Sequence, residues 1–163
     1  MKKTKTWMLG LGIVVVLSFI LLQSCQVEDF NPSLTKEFSL QANGATYQIK
    51  VGLPEDYFSS SEKYATLYVL DGEENFEFVA NRCKEISTAS HTKNVVVVSI
   101  GYGRDRSIDY TPTKVSSMTG GGAEFLHFIK TQLIPAMEMD FNVDTTRSSR
   151  VILGHSYGGL FGA

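Results

Sequence analysis

The chain has 163 residues, of which 43% are hydrophobic and 20% are charged. This composition is typical of a globular protein with room for one domain. Its net charge of −2 provides no basic surface for nucleic acid, and no cysteine–histidine cluster has metal-ligand spacing. We therefore predict no nucleic-acid partner, no metal site and no organic cofactor.

The N-terminus has the pattern of an exported lipoprotein. Lysines precede an apolar run from Trp7 to Leu22, which is shorter than the roughly 20 residues of a spanning helix. The run leads to Leu22-Gln23-Ser24-Cys25, which resembles a bacterial lipobox. That resemblance implies cleavage before Cys25 and a lipid on its thiol, so that the protein is anchored to a bacterial membrane, in the periplasm or at the cell surface, without spanning it. The alternative is an uncleaved anchor helix with a chance cysteine.

A polar linker and a β-hairpin follow. Residues 25–35 include Asn31-Pro32 and are predicted as a linker between the anchor and the folded domain. Two strand-like runs, 37–40 and 46–53, flank Asn43-Gly44, which is a strong signal for a tight turn. Apolar and polar residues alternate in the second run, as expected at a sheet edge with one wet face.

The rest of the chain alternates strands and helices. Almost wholly apolar runs are typical of strands covered on both faces of a parallel sheet, and they occur at 65–70, 95–100 and 150–153. Amphipathic helices lie between them: the first carries Phe76, Val79, Ala80, Cys83 and Ile86 on its apolar stripe, and the second runs from Ala123 to Met139 with a kink predicted near Pro135. This order predicts an α/β fold with crossover helices.

The long loop 102–122 and the second cysteine are further features of this segment. A loop of that length is usually functional or disordered. Cys83 has no partner if Cys25 carries a lipid, and its position on the apolar stripe favours a buried, inert thiol over a reactive one.

The third apolar strand leads into Gly154-His155-Ser156-Tyr157-Gly158-Gly159. Gly-x-Ser-x-Gly between a buried strand and a helix is the nucleophile elbow of an α/β-hydrolase. The serine sits in a strained turn with its hydroxyl exposed, so the residues two before and two after it are expected to need small side chains. Ser156 is therefore the predicted nucleophile. The alternative is a glycine-rich turn with an idle serine.

An oxyanion hole needs two backbone N–H groups. The residue after the nucleophile, Tyr157, is expected to supply one. The other is expected from the loop after the strand that ends in Asp71-Gly72, where Glu73 is the predicted donor. A plain strand-to-helix turn is the alternative reading of Asp71-Gly72.

The histidines and Asp144 are not predicted as members of a catalytic triad. His155 adjoins the serine, but neighbouring side chains in an elbow point away from its hydroxyl. His127 lies within a helix and His91 lies in a polar stretch. Asp144 precedes the elbow strand and is predicted to form a turn or cap.

The ordered motifs over residues 36–163 resemble the esterase family of α/β-hydrolases that includes esterase D, enterobactin-type siderophore esterases, feruloyl and acetylxylan esterases and the mycolyltransferases. The resemblance rests on the following segments, in chain order: Tyr68-Val69-Leu70-Asp71-Gly72, Gly101-Tyr102-Gly103, Arg106-Ser107-Ile108-Asp109-Tyr110-Thr111-Pro112, Phe125-Leu126, Leu133-Ile134-Pro135, and the elbow.

The resemblance implies that residues 36–163 form the N-terminal part of an α/β-hydrolase domain, truncated after the nucleophile elbow. The lipobox pattern places a signal peptide over 1–24 and the linker over 25–35 before it. It implies a serine carboxylic-ester hydrolase that forms an acyl-enzyme on a small-molecule, siderophore or glycan-linked ester. Arg104 and Arg106 would then lie where an anionic substrate group binds, or would pair with Asp105 and Asp109 to hold their loop.

Members of this family carry a triad acid and a histidine beyond the elbow helix, and this sequence has neither there. We therefore expect this chain to be the N-terminal portion of an esterase and to be inactive alone, with strand 151–153 as an exposed edge. The alternative function is that of a non-catalytic lipoprotein, either a degenerate esterase that binds a glycan or siderophore or a fragment without a role.

Overall fold

A computed structural model of the protein describes residues 31–163. The predicted signal peptide, Cys25 and most of the predicted linker lie outside these residues. The described part begins with a 3-10 turn at Pro32–Leu34 and enters its first strand at Thr35. No helix within 31–163 has the length and apolar character needed to cross a membrane.

Five strands form one mixed sheet in the order β1-β2-β4-β3-β5. Strands β1 and β2 pair antiparallel, as do β2 and β4, whereas β3 pairs parallel with both β4 and β5. The predicted α/β sheet with a hairpin at its edge is thus confirmed. The strands are β1 (Thr35–Ala42), β2 (Ala45–Gly52), β3 (Ala65–Val69), β4 (Val95–Ile100) and β5 (Arg150–Leu153).

The hairpin between β1 and β2 turns at the predicted residues. Asn43 and Gly44 have φ values of 56° and 73°, and Ala42 pairs with Ala45 on either side of them. Two successive positive φ values match the twist of a two-residue hairpin turn, and asparagine followed by glycine adopts them most readily.

Helices cover both faces of the sheet. They are α1 (Gly72–Ser90), the short α2 (Arg106–Asp109), α3 (Gly122–Phe128), α4 (Ile134–Asp140) and α5 (Tyr157–Gly162). Helix α1 packs Phe76 and Val79 against Val69 and Val97 on one face. Helices α3 and α4 lie over the other face, where the main core contains Tyr47, Tyr68, Val98, Phe125, Phe128, Leu133 and Met137.

One residue predicted on the buried stripe of α1 is exposed. Ile86 is 59% exposed, whereas Ser87 is buried and donates its hydroxyl to the side chain of Asn94. At about 100° per residue, position 87 returns to the direction of Phe76 and position 86 falls well short of it. Ser87 is therefore buried and Ile86 exposed because of their angular positions on the helix, despite their opposite hydrophobicity.

Helices α3 and α4 are joined by a π-helical turn, Ile129–Leu133, immediately before Pro135. At its end the N–H of Ile134 bonds to the carbonyl of Ile129. Proline lacks an N–H and its ring crowds the preceding turn, and a π turn rearranges the hydrogen bonding there. The irregularity found where a kink was predicted near Pro135 is thus a widened π turn in the helix.

Strand β5 lies at the edge of the described sheet, and its residues alternate in exposure. Val151 and Leu153 are 55% and 44% exposed, while Ile152 packs against the main core. The prediction that β5 is buried is therefore wrong for one of its faces. No strand within the described residues pairs with its free edge.

Candidate active site

Ser156 stands in a sharp turn between β5 and α5. Its backbone has φ 57° and ψ −117°, a conformation that costs a non-glycine residue on the order of 1–3 kcal/mol. The residue is exposed. The turn thus has the strained backbone and the accessible serine expected of a nucleophile elbow.

The glycines around Ser156 are not equivalent. A methyl group on Gly154 would lie 2.4 Å from the carbonyl carbon and oxygen of Gly158. A methyl group on Gly158 or on Gly159 would meet its nearest neighbour at 3.4 or 3.5 Å, which is ordinary contact. The expectation that small residues are needed on both sides of the serine therefore holds sterically for Gly154 alone.

The segment at the end of β3 lies beside the elbow. The N–H of Leu70 donates to the carbonyl of Leu153 at 2.9 Å, so the carboxyl ends of β3 and β5 are joined. Asp71 then turns the chain in the left-handed region, with φ 53° and ψ 40°, into α1. Gly72 is required at this point, because a methyl group there would lie 2.7 Å from the backbone nitrogen of Ile100.

Glu73 and Tyr157 occupy the first turns of α1 and α5. Their backbone N–H groups have no acceptor within their own helices, because the donors of a first helical turn have no carbonyl one turn earlier. The carboxylate of Glu73 is engaged separately, accepting the N–H of Tyr102 at 3.1 Å. Both predicted oxyanion donors thus lie in the first turns of helices that begin at the carboxyl ends of the neighbouring strands β3 and β5.

The buried carboxylate of Asp71 is the polar centre of the site. Asp71 is 6% exposed. Arg106 donates to its two oxygens at 2.7 and 2.9 Å, and the hydroxyl of Tyr102 donates to it at 3.0 Å. Burial, followed by the bond to this carboxylate, raises the pKa of Tyr102 to about 12. The N–H of Asp71 donates to the hydroxyl of Tyr110 at 3.0 Å.

The guanidinium group of Arg106 also reaches the elbow. It donates to the carbonyl oxygen of His155 at 3.3 Å. It lies over the rings of Tyr157 and Tyr110, with its central carbon 5.5 and 5.8 Å from their centroids. A cation over an aromatic face is favourable. One arginine therefore touches both segments that carry the predicted N–H donors.

Arg104 is held on the other side of the same loop. Its guanidinium donates to Asp109 at 2.6 Å and to Glu124 at 2.8 Å. The hydroxyl of Tyr47 donates to the second oxygen of Asp109 at 2.8 Å. These bonds order the loop between β4 and α3, in which α2 lies.

The predicted pairing of these arginines with nearby aspartates is found for Arg104 and Asp109. Arg106 pairs with Asp71 instead. Asp105 accepts the N–H of Ser107 at 2.8 Å and caps α2. The bond from the Ser107 hydroxyl, followed by this backbone bond, lowers the pKa of Asp105. An aspartate at the N-cap satisfies a first-turn donor of its own helix, which explains why it is not used by Arg106.

Within residues 31–163 no histidine side chain bonds to Ser156. His155 and His127 are exposed. His91 caps the end of α1 before β4 begins, so it lies at the amino ends of the parallel strands, whereas the elbow lies at their carboxyl ends. Asp144 also precedes its strand, where it accepts bonds from Thr146 and Ser149. The prediction that Asp144 forms a turn or cap is confirmed.

The site predicted from the sequence lacks the Asp71 carboxylate and the Tyr102 and Tyr110 hydroxyls. Asp71 and Arg106 are 35 positions apart, so no short motif joins them. A signal was nevertheless present, because both residues follow the carboxyl ends of neighbouring parallel strands, where ligands and polar groups collect in α/β sheets.

The family of this chain follows from its similarity to known proteins. The sequence pattern of the family described as "Putative esterase" matches residues 41–162. The chain belongs to this esterase family.

Solved structures of relatives share the fold. The BES protein of Bacillus cereus superposes with a TM-score of 0.68 at 26% identity, covering 85% of this chain and 57% of that one. An IroE-like serine hydrolase from Shewanella oneidensis superposes with a TM-score of 0.67 at 30% identity, covering 78% of this chain and 43% of that one. The α/β-hydrolase fold predicted for this chain is thereby confirmed.

Among curated proteins, the apo-salmochelin esterase of Escherichia coli O6:H1 is 29% identical over 133 residues, covering 71% of this chain and 40% of that protein. The uncharacterised protein YbbA of Bacillus subtilis is 31% identical over 117 residues, covering 66% of this chain and 46% of that protein. The chain spans less than half the length of the curated relatives it matches.

Proposed function

We propose that the protein to which this chain belongs hydrolyses carboxylic esters with Ser156 as its nucleophile. The observation that carries the proposal is the strained, exposed serine between β5 and α5, beside the segment that begins α1. Such strain in a non-glycine residue persists only where the surrounding structure enforces it, and it is concentrated at functional sites.

The proposed reaction has two stages. The Ser156 oxygen bonds to the ester carbonyl carbon while a general base takes the serine proton, which then passes to the departing alkoxide. Water cleaves the resulting acyl-enzyme by the same route and releases the acid. The N–H groups of Glu73 and Tyr157 stabilise the negative oxygen formed in each stage. The base and its acid partner in the proposed reaction are residues other than those described, because no described histidine bonds to Ser156.

The proposed substrate is a small-molecule ester of the siderophore kind. The support is the similarity to proteins named apo-salmochelin esterase and IroE-like serine hydrolase. Arg104 and Arg106 are left out of the proposed substrate contacts. Both guanidinium groups already bond to carboxylates of the chain, so a substrate anion would have to displace an internal one.

The experiment uses the complete gene product. Hydrolysis of p-nitrophenyl acetate and of a cyclic catecholate triester is measured for the wild type, Ser156→Ala and Ser61→Ala. Ser61 is an exposed serine in the loop before β3 and serves as the matched control. We expect Ser156→Ala to lose at least about 10³-fold in kcat and Ser61→Ala to match the wild type. Activity that survives Ser156→Ala rules out this nucleophile, and no activity in the wild type favours a binding protein.

A lipid on Cys25 and export to a membrane surface form a second part of the proposal, supported by the apolar run that leads to this cysteine. Cys25→Ser is expected to release the protein from the membrane fraction and to abolish labelling by a radioactive fatty acid. Cys83→Ser is the control, because burial raises the pKa of its thiol and makes it a poor nucleophile. Equal labelling of Cys25→Ser and wild type contradicts the anchor.

A further inference from the structure

The two segments that flank the candidate oxyanion hole both turn through positive φ. Asp71 has φ 53° immediately before α1, and Ser156 has φ 57° immediately before α5. Each turn determines where the first N–H groups of its helix point. The distance between the N–H groups of Glu73 and Tyr157 therefore depends on what holds the two turns together.

The two turns are joined by packing and by hydrogen bonds, and Gly158 lies directly beside Leu70 and the carboxylate of Asp71. The bond from Leu70 to Leu153 joins the strands just before the turns. Beyond it, Arg106 bonds to the carboxylate of Asp71 and to the carbonyl of His155, and it also stacks on Tyr157. Arg106 thus touches the residue that forms the first turn and the residues on either side of Ser156 in the second.

We propose that Arg106 is a positioning residue that fixes the spacing of the Glu73 and Tyr157 N–H groups by bridging Asp71 to the elbow. This inference rests on the proposed function. The bridge is made by the planar, forked shape of the guanidinium group, which bonds to two carboxylate oxygens and still has a donor for a third acceptor. A lysine at this position keeps the charge but, as a single ammonium group, cannot reproduce that geometry.

A positioning role and a substrate-binding role for Arg106 predict different kinetics. An arginine that binds a substrate anion lowers KM for anionic esters and has little effect on neutral ones. An arginine that holds the oxyanion donors acts on charge that develops in the transition state, so its loss lowers kcat for every ester and leaves KM nearly unchanged.

The test uses the complete gene product with two substrates, neutral p-nitrophenyl acetate and the anionic p-nitrophenyl monoester of succinic acid. The variants are Arg106→Lys, Asp71→Asn and the double variant, and kcat is expressed per Ser156 site titrated with a phosphonate. Arg150→Lys is the matched control. It makes the same change in another partly buried arginine–carboxylate pair, with Glu138 at 2.6 Å, at the opposite end of β5.

We expect Arg106→Lys and Asp71→Asn each to lose about 10- to 100-fold in kcat on both esters, somewhat less than removal of one oxyanion donor outright. KM should stay within about twofold, and the double variant should be no slower than the slower single variant, because both changes break the same bridge. Arg150→Lys should match the wild type.

Several results would overturn the inference. One is a loss restricted to the succinate ester or expressed in KM, which makes Arg106 a substrate ligand. Another is a loss of kcat in Arg106→Lys that Asp71→Asn does not share. If Arg106→Lys does not fold, the kcat of Asp71→Asn alone tests the inference. Wild-type rates in both variants, with Ser156→Ala inactive, refute the positioning role and leave the proposed function standing. A wild type without Ser156-dependent hydrolysis refutes both.

Discussion

Gly154 and Gly158 lie against each other across the turn that carries Ser156. A methyl group on Gly154 would overlap the carbonyl group of Gly158, at 2.4 Å from both of its atoms. That carbonyl belongs to the first turn of α5, and the N–H of the same residue bonds to the carbonyl of His155 at 2.9 Å. The first glycine of the motif is therefore required by contact between backbones, which a change of side-chain rotamer cannot relieve.

Gly154→Ala is expected to lower the free energy of unfolding by about 2 kcal/mol or more, since even ordinary overpacking costs about 1–3 kcal/mol. Chemical denaturation of the purified protein measures the loss. Gly159→Ala is the matched control in the same motif. Its new methyl group would meet the carbonyl of Gly154 at 3.5 Å, an ordinary contact, and alanine is favoured over glycine in a helix. Equal losses in the two variants would contradict the steric account.

Ser156→Gly is expected to stabilise the protein while abolishing ester hydrolysis. Glycine adopts φ 57° without the penalty that a side chain imposes, although it gains more freedom in the unfolded chain. The net gain should be on the order of 1 kcal/mol, measured as a higher melting temperature. Ser156→Ala is the control, because it is also inactive but retains a Cβ and hence the strain. If Ser156→Ala is stabilised as much as Ser156→Gly, backbone strain is not the cause.

Local patterns predicted most of the fold, because each depends on residues close together in sequence. The apolar runs at 95–100 and 150–153 coincide with β4 and β5, and Asn43-Gly44 forms the hairpin turn. The elbow was predictable for the same reason, since Gly154 and Gly158 make contact within a single turn. The exposure of Ile86 was missed because the apolar stripe was extended one residue out of phase with the helix.

The polar network of the site was not predictable from such patterns. Asp71 and Arg106 are brought together by the parallel pairing of β3 with β4 and by the path of the loop after β4. Asp105 and Asp109 lie nearer to Arg106 in sequence, but Asp105 caps α2 and Asp109 is engaged by Tyr47 and Arg104. The partner of an arginine thus depends on which carboxylates are already engaged.

Stability is expected to fall between about pH 10 and pH 12. Burial raises the pKa of Tyr47, Tyr68 and Tyr102 to about 12 each, whereas a tyrosine in an unfolded chain loses its proton near pH 10. In this range the unfolded chain binds fewer protons than the native one, so raising the pH favours unfolding. The stabilisation that these three tyrosines contribute is fully present below the pKa of an unfolded tyrosine. It is lost as the pH rises through their pKa values in the folded protein.

Tyr68→Phe isolates one of these groups. Tyr68 is 3% exposed, and its raised pKa comes mainly from burial. A shift of two units corresponds to roughly 2–3 kcal/mol. Denaturant unfolding at pH 9 and at pH 12 should therefore show a smaller loss of stability in the variant than in the wild type, by up to that amount. An identical loss in both proteins would show that Tyr68 does not titrate as its burial requires.

The free edge of β5 is expected to make a polypeptide of residues 31–163 self-associate. Val151 and Leu153 expose apolar side chains on a strand whose outer backbone groups have no partner among the described strands, and such an edge pairs readily with another chain. Val151→Lys should raise the soluble, monomeric fraction in light scattering and gel filtration, because a charge on an edge strand opposes pairing.

Ser39→Lys is the matched control for that experiment. Ser39 is exposed on β1, the opposite edge strand of the same sheet, so the variant adds the same charge without removing an apolar side chain. If association arises at β5, Val151→Lys should suppress it and Ser39→Lys should not. Equal suppression by both variants would instead show that association does not depend on the β5 edge, since the two substitutions change the net charge by the same amount.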